Sequence, residues 1–331
     1  MKVSQLGEFG LIDLLAEIAG RPKNDSVIIG IGDDAACWRA ESSLQLATTD
    51  ALIQDIHFTL SDITWRELGW KVLAVNLSDI AAMGGIPRYA LVSLGLPQDT
   101  DVDDVSDLYK GMMQLARGFD VDIIGGNITA APAIMISLTV LGEAATQGNI
   151  LTRSAAAPGD RIAVTGALGA SAAWLAMLNE GLKLNQRAMK TLREAHVKPR
   201  PRVAEGQTLA RRGVKAAIDM SDGLLADLEK LCKSSSVGAR IFTDRIPVDA
   251  TVRRSFGDDA LSLALGGGED YELLFTAPGK IIDRVKKELP CPLTAIGEIT
   301  TGTGVKVIDE KGLDVKMKNR GWDHFAKRGQ R

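Results

Sequence analysis

The chain has 331 residues, of which 45% are apolar and 24% charged, and it carries a formal net charge of -3. That length buries a large core and predicts two domains, while the slightly acidic balance removes any general electrostatic reason to bind nucleic acid or an anionic membrane. Cys37, Cys232 and Cys291 are widely spaced with no CxxC pair, which signals neither a disulfide framework nor a zinc site and fits a reducing cytoplasm.

The N-terminal MKVSQLGEFGLIDLLAEI is amphipathic and acidic, unlike a basic and then continuously apolar secretory leader. In VIIGIGDDAACW, residues 27–38, an apolar β-branched run reads as a buried strand, and its glycines let the backbone turn sharply. Asp33 and Asp34 then stand side by side at a strand end, where two anions repel unless a cation or strong donors hold them. Next come the strand-like LQLATTDAL, the helical ELGWKVLAVNLSDIAAM, the strand-like YALVSLGL, the helical DVSDLYKGMMQLARGF, and the strands VDIIGG and AIMISLTVLG.

A second series follows the small-residue loop TRSAAAPGD, whose Pro158 and Gly159 mark a domain boundary. It contains the strand RIAVTG, a helix ending at Gly181, a helix entered through KPRPRVAEGQTLARRG, the strand KAAIDM, the helix GLLADLEKLCKSS, and the strands ARIFT and YELLF. The uncharged stretch 162–178 is broken by glycines, so it reads as strand, turn and helix and not as a membrane span. Strands and helices alternate without strict βαβ repetition. An α+β fold with mixed or antiparallel sheets and helices packed on them is therefore expected.

Four acidic clusters stand at junctions with turns: GIGDDAA, TTDAL at 48–52, NLSDIAAMGG around Asp79, and DMSDG at 219–223. Each has a bland reading, since Asp34, Asp50, Ser221 and Asp222 all suit a helix cap or a turn. Asp79 is different because it interrupts an apolar helical segment, where an ionised carboxylate is costly unless paired or bound to a cation. Oxygen ligands from separate segments suit magnesium better than zinc, and magnesium in such a site points to phosphates. No G-x-x-x-x-G-K-[ST] is present, so a P-loop is unsupported. Gly30 to Ala35 matches G-x-G-x-x-A formally, but two carboxylates there would repel a pyrophosphate.

Taken in order, GEFGLI, GIGDDAA, TTDALIQDIHF, LAVNLSDIAAMGG, the H-x-x-P-x-P-R of His196 to Arg202, AIDMSDGLLADL and GGGEDYELLF resemble the thiamine-monophosphate kinases, within the superfamily of aminoimidazole ribonucleotide synthetase and selenophosphate synthetase. The resemblance covers nearly the whole chain, from Gly7 to the terminal GWDHF. It implies a homodimer of two-domain α+β subunits and transfer of a phosphoryl group from ATP to thiamine monophosphate, giving thiamine diphosphate with several Mg2+ ions. Residues 1–150 would form an ATP- and magnesium-binding and dimerisation domain, and 151–331 a C-terminal α+β domain completing the active site. Metal ligands carry over to Asp34, Thr48, Thr49, Asp50, Asp79, Asp219 and Asp222, with Asp33 their neighbour. Nucleotide contacts carry over to Tyr109, Gly126, Asn127, Arg153 and Ser221, and thiamine-phosphate contacts to His57, Glu269 and Trp322.

The chemistry agrees with that implication. Two polyanions beside several carboxylates need multiple magnesium ions, because the motifs hold Arg153 but no lysine cluster. The acceptor is already an anionic phosphate oxygen and requires neither a general base nor a covalent enzyme intermediate. His57 and Trp322 also have structural readings, as a lone histidine after a strand and an aromatic anchor of the C-terminus, and Glu272 reads as a structural residue of the strand after Glu269. Three departures from the family pattern occur: Asn127 stands where an aspartate is usual and offers magnesium an uncharged oxygen, Ala155 replaces a glycine after Arg153, and Asp55 replaces a small residue before His57. The alternatives are another ATP-dependent enzyme of the superfamily with a different small acceptor, or a non-catalytic nucleotide-binding protein.

Overall fold

The computed structural model describes residues 5, 11 and 14–20, the backbone of 27–29 and 37–38, and residues 44–144, 150–317 and 319–322. The motif around Asp33 and Asp34, most of GEFGLI and the end of GWDHF lie outside the described residues. Two compact units share the chain: Met1–Ile80 with Gly85–Gln147, and Ala81–Gly84 with Gly148–Arg331.

In the first unit a short helical stretch at 14–19 (α1) precedes an antiparallel pair, β1 (Val27–Ile29) and β2 (Cys37–Trp38). A four-stranded sheet follows in the order β3-β6-β4-β5, formed by β3 (Leu44–Ile53), β4 (Ile86–Leu96), β5 (Asp122–Ala130) and β6 (Met135–Ala144). Only β4 and β5 run parallel, as a strand–helix–strand crossover requires. The helices are α2 (Trp65–Ala82) and α3 (Val102–Ala116). A capping box starts α2. The Thr64 amide donates to Glu67 Oε2 at 3.0 Å and the Glu67 amide to Thr64 Oγ1 at 3.3 Å, which satisfies two otherwise orphaned groups. Alternation in β6 buries Ile136, Leu138 and Val140 and leaves Ser137, Thr139 and Leu141 half-buried on the other face.

The second unit holds a six-stranded sheet in the order β12-β9-β11-β7-β10-β8, built from β7 (Arg161–Thr165), β8 (Ala216–Asp219), β9 (Gly238–Phe242), β10 (Leu273–Ala277), β11 (Leu293–Thr300) and β12 (Gly304–Ile308). All pairs are antiparallel except β12 with β9. Its helices are α4 (Ala170–Glu180), α5 (Gln186–Val197), α6 (Val203–Arg211), α7 (Leu224–Ser235), α8 (Ala250–Phe256), α9 (Ala260–Gly266) and α10 (Gly279–Val285). Leu225, Leu228 and Leu231 of α7 join Ile162, Val164, Ile218 and Leu274 in the main core, and Trp174, Met177, Leu192 and Val252 form a smaller helical core. The mixed α+β architecture is the one expected. The last motif differs locally: the strand begins at Leu273, not Tyr271, because Tyr271 takes a positive φ of 49° that extended pairing does not accommodate.

Candidate active site

In the first unit, β3 and α2 bring acidic groups together. Strand alternation points Thr48 and Asp50 to one face and Thr49 to the other, and Asn76 and Asp79 lie one turn apart on α2. Thr48 Oγ1 donates to Asp79 Oδ2 at 2.6 Å, and the Asp50 amide donates to Asn76 Oδ1 at 3.1 Å. Asn76 is fully buried, with its Nδ2 donating to the Val72 carbonyl at 2.9 Å. It was not anticipated from the sequence, where it is one polar residue in an apolar helix. The exposed Asp50 and half-buried Asp79 therefore approach the same strand–helix seam. Thr49 turns away, its hydroxyl donating to the Leu138 carbonyl at 2.9 Å and accepting from Thr139 at 3.2 Å.

After β3 the chain makes a tight turn. Asp55 has φ 63°, a left-handed conformation that aspartate tolerates better than most residues. Its amide donates to the Phe58 carbonyl at 2.8 Å, and the Ile53 amide donates to His57 Nδ1 at 3.0 Å. Because Nδ1 accepts, the neutral ring carries its proton on Nε2 and offers a donor there.

Asn127 and Gly126 lie exposed on β5. A Cβ on Gly126 would sit 1.9 Å from the Val92 carbonyl oxygen, so this glycine is demanded by strand packing whatever it contacts. Tyr109 belongs to the buried stripe of α3 and is 5% exposed. Burial pushes its phenol above the usual range.

The second unit interlocks three segments: the turn 219–223, the turn 266–272 and residues 319–322. The Glu269 amide donates to the Ser221 carbonyl at 2.8 Å, the Tyr271 amide to Met220 at 2.9 Å, and the Trp322 amide to Asp222 at 2.9 Å. Asn319 Nδ2 reaches the Gly266 carbonyl at 3.2 Å. A Cβ on Gly268 would stand 2.5 Å from the Ser221 carbonyl oxygen, which explains a glycine run at that crossing. Ser221, Asp222, Glu269 and Trp322 are thereby brought together, with Asp219 buried at the end of β8.

Side chains outside the anticipated set hold this arrangement. Asp227, wholly buried on α7, accepts the Asp222 and Gly223 amides on Oδ2 at 3.0 and 3.1 Å. Lys230 Nζ binds Asp222 Oδ2 and lies 2.7 Å from Asp227 Oδ1. Burial raises the Asp227 pKa and the Lys230 charge pulls it back, with a net rise. Burial also opposes the Lys230 charge, but the Asp227 and Asp222 carboxylates outweigh it and raise its pKa. Asp227 and Lys230 lie one turn apart on α7, and the fold turns Asp227 back onto the loop amides. Glu272 accepts from Arg202 Nε at 2.7 Å and from Thr165 Oγ1 at 2.6 Å, a packing role. Arg153 is exposed in a loop anchored by Ser235, whose hydroxyl donates to the Arg153 carbonyl at 2.8 Å and accepts the Ala156 amide at 3.0 Å.

Among the described residues no group of three or more His, Cys, Asp or Glu side chains converges as a metal centre. The donors present in each unit are nevertheless hard oxygens, carboxylate and hydroxyl, with Thr48 and Asp79 already 2.6 Å apart. That donor set fits magnesium.

Residues 32–144 match the family of AIR synthase related protein, N-terminal domain, and residues 157–310 match its C-terminal domain. The chain is 40% identical over 326 residues to the thiamine-monophosphate kinase of Escherichia coli (strain K12), covering 97% of this chain and 98% of that protein. The crystal structure of thiamine-monophosphate kinase from Stenotrophomonas maltophilia K279a is similar at a TM-score of 0.82 and 37% identity, over 91% of this chain and 96% of the other. AaThiL, solved in complex with AMPPCP and TMP, is similar at 0.77 and 33% identity, over 98% and 99%. With both halves matched and near end-to-end likeness at these identities, the chain belongs to the thiamine-monophosphate kinase family.

Proposed function

We propose that this chain phosphorylates thiamine monophosphate to thiamine diphosphate, taking the γ-phosphoryl group of ATP by direct in-line transfer. The observation that carries the reading is the near full-length likeness to AaThiL, a protein solved with AMPPCP, an ATP analogue, and TMP. The acceptor is an anionic phosphate oxygen, so the residues need only bind, align and neutralise.

Thr48, Thr49, Asp50, Asp79, Asn127, Asp219 and Asp222 would hold magnesium, together with Asp34 outside the described residues. Bound magnesium supplies neutralisation of phosphate charge as the transfer proceeds. Arg153, exposed on its anchored loop, offers a cation to the nucleotide phosphates, with Ser221, Gly126, Asn127 and Tyr109 as further nucleotide residues. Trp322, 39% exposed, offers an aromatic face to the cationic thiazolium or flat pyrimidine. Glu269 offers the opposite charge, and His57 the Nε2 donor. Asp33 has no assigned role.

Residues 1–150 are assigned to nucleotide and magnesium binding and dimerisation, and 151–331 to the second α+β domain. A homodimer is supported by the half-buried outer face of the four-stranded sheet, where Leu91, Ser93, Ser137, Thr139 and Leu141 present small and apolar groups. No helix among the described residues is long and apolar enough to cross a membrane, and the cytoplasm, where ATP is available, is the proposed location.

Purified protein with ATP, magnesium and thiamine monophosphate is expected to yield thiamine diphosphate and ADP in equal amounts. ATP binding without turnover of thiamine monophosphate would point instead to another acceptor or to a non-catalytic protein.

A further inference from the structure

The H-x-x-P-x-P-R motif receives no role in the reaction above, and its histidine lies behind one of the proposed substrate residues. His196 ends α5 at 8% exposure. Its Nδ1 stands 2.9 Å from Oγ of Ser171, wholly buried near the start of α4, and 3.1 Å from Oε2 of Glu269. A carboxylate has only lone pairs to offer, so the hydrogen in that contact belongs to Nδ1. Ser171 Oγ, 2.9 Å from the same Nδ1, shares that hydrogen as a second acceptor.

Glu269 itself is placed against its own backbone preference. Its φ of 66° falls in the left-handed region, in a turn that has three glycines immediately before it. A non-glycine residue there is strained, and such strain persists where the surroundings over-determine it. The surroundings here are the Ser221 carbonyl on the Glu269 amide at 2.8 Å and the His196 ring on its side chain.

We infer that His196, keyed by Ser171, is a positioning residue that donates from Nδ1 to Glu269 and fixes its carboxylate toward the thiamine moiety of the substrate. The inference rests on the assignment of Glu269 to substrate binding. His196 acts on thiamine-monophosphate recognition through Glu269 alone and leaves ATP binding to other groups.

The test is a double-mutant cycle of His196→Leu and Glu269→Ala, with His196→Asn as the conservative variant because its Nδ2 can donate from the position of the lost Nδ1. KM for both substrates, kcat, and thiamine-monophosphate affinity by calorimetry are measured on the full-length protein. A hydrogen bond to a charged group predicts that His196→Leu raises KM and Kd for thiamine monophosphate about tenfold. KM for ATP and kcat should stay within about twofold, and His196→Asn should recover most of the loss. On the Glu269→Ala background, His196→Leu should add nothing. Additive losses, an ATP KM that rises in parallel, or an asparagine variant as impaired as leucine would overturn the inference. If Glu269→Ala alone leaves thiamine-monophosphate affinity unchanged, the assignment of Glu269 fails and the inference falls with it, a result distinct from additivity. Should His196→Leu not fold, His196→Gln, which shifts the donor away from Glu269, takes its place in the same cycle.

Discussion

The Asp270 carboxylate accepts the Gly169 amide on both oxygens, at 2.9 and 3.1 Å, and so closes the N-terminus of α4 from 101 residues away in sequence. Burial raises its pKa to about 8, with Gly169 and Ser171 amides opposing and the charges of Glu272 and Asp249 reinforcing the shift. A carboxyl whose folded pKa lies above its unfolded value stabilises the fold fully below the unfolded pKa, and that contribution is lost as pH rises through the folded one. Wild type should therefore lose thermal stability from about pH 4 to pH 8 relative to Asp270→Asn, which keeps an oxygen acceptor and does not ionise. Melting temperatures across pH 5–9 check this; parallel curves would count against a neutral Asp270.

Lys230 supplies the charge that lets Asp227 stay buried beneath the 222–223 turn. Lys230→Met is expected to destabilise the protein by about 2 kcal/mol, since it leaves a buried carboxylate without its cation. Asp227→Asn still accepts the two loop amides without needing that charge. The double variant should thus be more stable than the sum of the two single losses, as chemical denaturation would show. Strict additivity would mean that the pair is not coupled.

Asp50→Asn and Asp222→Asn should each lower turnover at least about a hundredfold, the scale of losing a transition-state electrostatic contact. Asp50 does not pack in the core, so its variant should melt close to wild type, whereas Asp222→Asn also weakens the Lys230 contact and should melt somewhat lower. Normal turnover at saturating magnesium in either variant would reject its assignment to the metal.

In the proposed site Asn127 would offer magnesium an oxygen without the Coulomb attraction of a full charge. Asn127→Asp should lower the magnesium concentration needed for half-maximal activity while changing thiamine-monophosphate affinity less. Magnesium titration at fixed ATP decides the matter, and an unchanged or raised requirement would show that Asn127 is not a weakened ligand.

Much of the architecture was legible because local chemistry and local structure coincide. The run ELGWKVLAVNLSDIAAM reads as the helix α2, which the structure starts two residues earlier at Trp65 behind the Thr64 cap, and AIMISLTVLG reads as the strand β6. The Tyr271–Glu272 segment misled for a local reason: two strand-compatible residues sit in a turn whose backbone Tyr271 bends to φ 49°.

By itself the sequence determined the α+β class and the kinase family, since residue types and motif order do not depend on how the chain is packed. The tertiary structure alone decided which side chains meet. Thr48 and Asp79 are 31 positions apart, Asp50 and Asn76 are 26 apart, and His196 and Glu269 occupy different elements. These partners are chosen by strand pairing and helix packing, whose driving force is burial of the apolar core and not the polar groups it carries into place. A buried asparagine such as Asn76, or a histidine such as His196, consequently looks like any other polar residue until the fold shows what its nitrogen or oxygen touches.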